Sequence, residues 1–299
     1  MEKLKGFLKL IRWFHELAAI VPFVGLYFVI DYFIQAGGYS CNLSGFNFFL
    51  LCICVQLHIA AGCILNDIMD RKIDKINKPH THIIGRVLSL RTAWISFGVT
   101  SVGILLLSVY ISCCMFNEWA FISPGIYVLS VLYDVYFKRT PLMGNILIAA
   151  ITSFIPLVLF FFAKDCIARV QHDKIDVLIY LYCFFSLLII VPRELSLDIS
   201  DMEGDKAVGC RTLPILIGAK RSKLLVSLMI LLIVMLSVLV MYYYAYLLLT
   251  LLLIDVLLLC YCYRLQQCTA RIDYIRAGRF LWFIFIAGLV GFTVATICS

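Results

Sequence analysis

Asn66, Asp67, Asp70 and Asp74 fall within the stretch NDIMDRKID, directly after the apolar run FFLLCICVQLHIAAGCIL. Farther along, LSLDISDMEGD repeats the device with Asp198, Asp201 and Asp205. On a helix, Asn66, Asp70 and Asp74 are spaced i, i+4, i+8 and share one face, with Asp67 beside them. Asp198, Asp201 and Asp205 are spaced i, i+3, i+7, again one face, and Glu194 lies a turn earlier. Like charges so placed repel, and each costs about 2.5–3.5 kcal/mol at a bilayer centre, less near the interface. A sequence that does this twice needs a counter-charge. Oxygen ligands in this number suit Mg²⁺, which bridges carboxylates to phosphate oxygens rather than filling an all-protein cage. Cations gather nearby: Arg71 and Lys72 in the first motif, Lys138 and Arg139 with Tyr133 in LYDVYFKRTPLMGN, and Arg193 before Glu194. They serve either as charge balance or as holders of the non-bridging oxygens of a diphosphate. A solvated loop explains either motif alone, but two carboxylate clusters, each at the end of a span and on the same side, argue against it.

The elements that must position these residues are membrane helices. Of 299 residues, 63% are hydrophobic and 14% charged, and the mean hydropathy is +1.01. Soluble domains run nearer half apolar and a quarter charged. A spanning helix needs roughly 20 apolar residues, and nine candidate spans are centred near residues 25, 57, 103, 128, 152, 185, 231, 252 and 288. The boundary between the seventh and eighth is the least marked, because MYYYAY holds no Gly or Pro. Met1 to Arg12 reads as a basic amphipathic lead-in without a small-residue cleavage pattern.

With the N-terminus in the cytoplasm, nine spans place all but three of the 25 basic residues on the cytoplasmic side, the exceptions being Lys164, Arg169 and Lys174. That asymmetry supports both the count of nine and the orientation, and the net charge of +7 is a topology signal rather than a nucleic-acid footprint. Both acidic motifs then face the cytoplasm. Most of the thirteen cysteines lie within spans, where a small apolar thiol packs well, and a disulfide or zinc role is not expected. No linker or composition break divides residues 1–299, which read as one domain. Each acidic motif follows an apolar span and precedes a basic segment, a weak internal echo of two halves facing one cavity.

NDIMDRKIDKINKP resembles the first signature of the UbiA superfamily of intramembrane prenyltransferases, N-D-x-x-D-x-x-x-D. RELSLDISDMEGDKAVGCRTLPILIG resembles their second, and LYDVYFKRTPLMGN the lysine-bearing segment between them. The likeness runs over residues 60–220 in the family's order. Within the superfamily the second motif is most similar to that of the geranylgeranylglycerol-phosphate geranylgeranyltransferases. Two departures stand out. NKPHTHIIGR keeps Lys78-Pro79 and Gly85-Arg86 but is one residue short of the family's spacing, and RWFHE stands where Arg-Pro-x-Asn is common. Both lie where acceptor recognition could be set.

The resemblance implies an all-α, multi-pass membrane protein with nine transmembrane helices around a central cavity open at the cytoplasmic side, in a bacterial or archaeal cell membrane. It implies Mg²⁺-dependent transfer of a polyprenyl group from an allylic diphosphate to a lipid acceptor, a prenylglycerol phosphate. Asn66, Asp70 and Asp74 would hold one ion, and Asp198, Asp201 and Asp205 the other. Lys138, Arg71, Asp67 and Tyr133 are the candidate catalytic residues, with Arg71, Lys138 and Arg139 on the diphosphate. A phosphorylated acceptor needs its own cation, for which Arg12 and Arg86 are candidates; His58, on roughly the helical face of Asn66, is placed either to touch the acceptor or to be a buried histidine with a packing or backbone partner. His15 and Glu16 are placed either for acceptor contact or for interfacial solvation. Asp255, alone in LLLTLLLIDVLLLCY, is expected to pair across helices or stay protonated.

Two other readings compete. An aromatic acceptor, as in quinone or haem biosynthesis, keeps the chemistry and changes the product. An ion-coupled transporter also uses intramembrane acids, but here the acids sit at one membrane side and no broken-helix pair is evident.

Overall fold

The computed structural model describes residues 2–38, 44–114, 118–170 and 173–298. These residues are nearly all helical. Among the described residues, eight helices are long and apolar enough to cross a membrane, and Phe23–Ala36 is a shorter apolar stretch of the helix Trp13–Ala36. Nine spans is therefore close. The side chains of residues 14–19, 164–166 and 168–174, His15, Glu16, Lys164, Arg169 and Lys174 among them, lie outside the described residues.

The helices gather into two compact units, Met1–Val21 with Ser40–Lys138, and Pro22–Tyr39 with Arg139–Ser299. Helix α2 (Trp13–Ala36) contributes to both. In the first unit, α1 (Glu2–Leu10) precedes α2, and α3 (Gly45–Met69) packs on α5 (Leu90–Cys114) and α6 (Trp119–Val135). The short α4 (Arg71–Asn77) follows α3 directly. Ser44 caps α3, its Oγ accepting from the Asn47 N–H at 3.2 Å. Small residues let the helices close. A Cβ on Gly103 would lie 3.3 Å from Leu57, and one on Gly62 3.3 Å from Ser130. Leu10, Ile64, Ile68, Ile84, Leu88 and Ala93 form a buried cluster at the end of α3 that carries the first motif. That cluster fixes α1 and the segment after α4 against α3, and a Cβ on Gly6 would strike Val87 at 2.5 Å.

In the second unit, α7 (Met143–Ser153) and α8 (Ile155–Val170) break at Phe154 within one apolar span. Helix α9 (Asp173–Ala207) is central, packing on α7, α8, α11 (Ala219–Tyr243) and α13 (Arg271–Ile297), with α12 (Leu248–Gln267) against α11 and α13. Between α9 and α11 lies the short α10 (Leu213–Ile217). The boundary that MYYYAY leaves unmarked falls at Tyr244, where the helix gives way to a 3₁₀ turn over Ala245–Leu247. The 35 residues of α9 span about 50 Å at 1.5 Å per residue, against a hydrocarbon core of about 30 Å. The surplus is the charged stretch that carries the second motif. Gly209, at φ 79°, ends it: the Cys210 N–H turns back to the Asp205 carbonyl at 2.9 Å. A residue with a Cβ is disfavoured at that φ.

Candidate active site

The first motif straddles a helix break. Asp70, at φ −84° and ψ 2°, closes α3 and opens α4. The i, i+4 spacing nevertheless survives in the backbone. Asp70 N–H donates to Asn66, Asp74 N–H to Asp70, and Lys78 N–H to Asp74, at 2.8, 2.8 and 2.7 Å. Asn66, Asp70 and Asp74 therefore stay in step across the break.

Cations brace these acids. Lys138 Nζ pairs with Asp70 Oδ2, and Lys78 Nζ with Asp74 Oδ1 at 2.9 Å. Arg12 sits at φ 53° in the turn that ends α1, its N–H bonded to the Lys9 carbonyl at 3.0 Å. Its guanidinium reaches Asn66 Oδ1 at 3.1 Å and Asp67 Oδ1 at 3.2 Å. Desolvation disfavours the Arg12 charge, but Cys63, Asp67 and Asp70 outweigh it and hold the guanidinium above its ordinary pKa. Arg12 thus braces the motif as well as being a candidate for acceptor phosphate. Asp134, buried in α6, accepts from Asn66 Nδ2 at 3.2 Å. Tyr133 is half-buried and close to Lys138.

Arg71 is exposed at the start of α4, and Arg86 is exposed in the segment that follows it. His58 is taken up inside the bundle. Its Nδ1 lies 2.8 Å from the Cys54 carbonyl and its Nε2 3.2 Å from both the carbonyl and the hydroxyl of Ser123. Ser108 extends that buried network, 2.6 Å from Ser123 Oγ.

The second motif is carried by α9. Asn145, at the start of α7, donates to Asp198 Oδ2 at 2.8 Å. Arg271, the first residue of α13, donates to Asp201 Oδ1 at 2.9 Å, and Ser200 Oγ approaches the same oxygen at 3.2 Å. Arg193 pairs with Glu194 and lies over the Trp282 ring, 5.1 Å from its centroid. Arg139 is exposed, and its carbonyl accepts from the Arg211 N–H at 3.1 Å. On another helix, α12, Asp255 accepts a hydrogen bond from Ser237 of α11, the cross-helix pairing expected of it.

Among the described residues, no three His, Cys, Asp or Glu side chains converge as a ready-made metal cage. The donor set still fits Mg²⁺. It is all oxygen, and cations stand beside it: Lys138 pairs with Asp70, Lys78 with Asp74 and Arg271 with Asp201, with Arg12 on the neighbouring Asp67. Sparse carboxylates that share their ion with substrate phosphates are the usual Mg²⁺ arrangement. Asp134, Asn145 and Arg271 have no spacing signal that marks them: the first two stand within LYDVYFKRTPLMGN, and Arg271 is one of the many basic residues at the ends of the spans.

Fold and site define a polytopic helical membrane protein with two acidic helix ends, each braced by cations. The chain belongs to the UbiA prenyltransferase family, whose model matches residues 23–295. It is 35% identical over 175 residues to a digeranylgeranylglyceryl phosphate synthase of Thermococcus sibiricus, covering 58% of this chain and 57% of that one. The corresponding protein of Thermococcus kodakarensis is 34% identical over 200 residues, 66% of this chain and 65% of that one. These matches span about three-fifths of the relatives' length. A solved structure concerned with digeranylgeranylglyceryl phosphate synthase in membranes aligns over 100% of both chains, with TM-score 0.64 and 27% identity. A UbiA homolog from Archaeoglobus fulgidus, bound to GPP and Mg²⁺, shares the fold at TM-score 0.61 and 18% identity, over 98% of this chain and 100% of that one.

Proposed function

We propose that this protein transfers a polyprenyl group from an allylic diphosphate to the hydroxyl of a prenylglycerol phosphate, in a Mg²⁺-dependent reaction. The observation that carries the reading is the pairing of Lys138 with Asp70 at the end of α3, a cation held beside an acidic, oxygen-only donor set. The family membership and the names of the relatives support the same chemistry.

Asn66, Asp70 and Asp74 would hold one ion, and Asp198, Asp201 and Asp205 another. Mg²⁺, when bound, supplies positive charge against the leaving diphosphate. Lys138, Arg71 and Arg139 add fixed cations for its non-bridging oxygens. The allylic C–O bond breaks with its electron pair departing on the diphosphate. The acceptor hydroxyl oxygen then bonds to the allylic carbon, and its proton passes to the released diphosphate. Asp67, held by Arg12, would keep the start of α2 against the motif, and Tyr133, close to Lys138, would orient the lysine. Apolar helix walls exclude the water that would quench the cation. Arg12 and Arg86 would take the acceptor phosphate, and the membrane would be archaeal with the site toward the cytoplasm.

The test is transfer from a labelled allylic diphosphate into extractable lipid by wild type, Asp70→Ala and Asp201→Ala. Both variants should insert normally and lose transfer. Activity within a few-fold of wild type in either removes that residue from the site.

A further inference from the structure

We infer that Asp134 is a positioning residue: it fixes which way the Asn66 side-chain amide points, and so keeps the amide oxygen available as a metal ligand. The inference rests on the proposed role of Asn66 in holding an ion.

An asparagine ligates a hard cation through oxygen, and its NH₂ end cannot replace it. The amide must therefore be held one way round. Two neighbours do this together. Asn66 Nδ2 donates to Asp134 Oδ1 at 3.2 Å, and Asn66 Oδ1 accepts from Arg12 at 3.1 Å. Turning the amide over would set its NH₂ against the guanidinium, donor to donor. It would also set its oxygen against the Asp134 carboxylate, acceptor to acceptor. Arg12 alone is a loose guide, because it also serves Asp67 and its side chain is 39% exposed. Asp134 is 2% exposed and sits on α6, one of the helices packed against α3. A buried carboxylate in a membrane helix is costly, and this one accepts an amide hydrogen that needs direction.

A competing role for Asp134 is purely electrostatic, as a partner for Lys138 one turn later on the same segment. The two roles separate by substitution. Asp134→Asn keeps an oxygen acceptor and removes the charge. Asp134→Leu, nearly isosteric, removes both. The measurement is Mn²⁺ binding to purified protein by electron paramagnetic resonance, with an unreactive allylic thiolodiphosphate present. Residues that orient metal ligands typically affect affinity 10–100-fold, so Asp134→Leu should weaken Mn²⁺ binding by about that factor. Asp134→Asn should stay near wild type. Losses in Asn66→Ala and Asp134→Leu should not add when combined. If the leucine variant does not fold, Asp134→Ala takes its place.

Wild type that binds Mn²⁺ tightly, with Asp134→Leu equal to it, overturns the inference and leaves the metal reading standing. Asp134→Asn as weak as Asp134→Leu also overturns it, in favour of the charge role. Wild type no better than Asp70→Ala removes the metal reading and this inference together.

Discussion

Replacing Lys138 with Met separates stability from catalysis at the centre of the first motif. The ammonium and the Asp70 carboxylate are 26% and 14% exposed, so neither is fully solvated. Taking the lysine away leaves a half-buried carboxylate without its cation, a loss of about 1.5–3 kcal/mol for a charged hydrogen bond. In a chain of this size each kcal/mol moves the apparent melting midpoint by about 2 °C, so the midpoint should fall by roughly 3–6 °C. Catalysis should suffer more. Removing one preorganised donor to developing negative charge typically costs about 10²–10³ in kcat. Adding Asp70→Asn to Lys138→Met neutralises the stranded acid and should recover most of the stability without recovering turnover. The assay pairs scanning fluorimetry in detergent, at one scan rate because membrane proteins often unfold irreversibly, with initial rates of prenyl transfer. Lys138→Met that turns over within a few-fold of wild type, while its midpoint falls as expected, would refute the reasoning, since it would reduce Lys138 to a structural partner of Asp70.

Asn145→Ala removes the donor that holds Asp198 and should lower kcat/KM by about 10-fold or more, while Asn145→Asp, which places like charges together, should be worse in the same kinetic assay. Chelation with EDTA should abolish transfer, and Mg²⁺ or Mn²⁺ should restore it, as followed by product formation. Ser237→Ala withdraws the hydrogen bond to buried Asp255 and should lower the melting midpoint, with transfer by the surviving folded protein unchanged. Cysteine labelling should place residues 75–90 and 206–222 on the same side of the membrane, because the basic residues follow the positive-inside pattern; opposite sides would contradict it.

The spans and the two carboxylate motifs were legible in the sequence because apolar length and helical spacing are local properties. The i, i+4 relation of Asn66, Asp70 and Asp74 held even though the helix breaks at Asp70, since the backbone bonds carry it across. What spacing leaves hidden is partnership between distant segments. Arg12, read as a cation for acceptor phosphate, is 54 positions from Asn66 and reaches it only because a left-handed turn ends α1. Asp134 and Asn145 carry no spacing signal of their own, and packing alone puts them beside Asn66 and Asp198. His58 shared the face of Asn66 in projection, yet its ring turns to Cys54 and Ser123 because those carbonyls are within reach. The break at Phe154 likewise divides a run that reads as one uninterrupted span.

The most direct measurement of the central claim offers the purified protein a labelled allylic diphosphate, Mg²⁺ and two acceptors at once, a prenylglycerol phosphate and 4-hydroxybenzoate, and identifies the products by mass. The expected product is the prenyl ether of the glycerol phosphate lipid, absent without Mg²⁺ and absent with Asp201→Ala. Efficient prenylation of 4-hydroxybenzoate with none of the glycerol phosphate lipid would contradict the acceptor assigned here, and no prenylated product from either would contradict the transfer reaction itself.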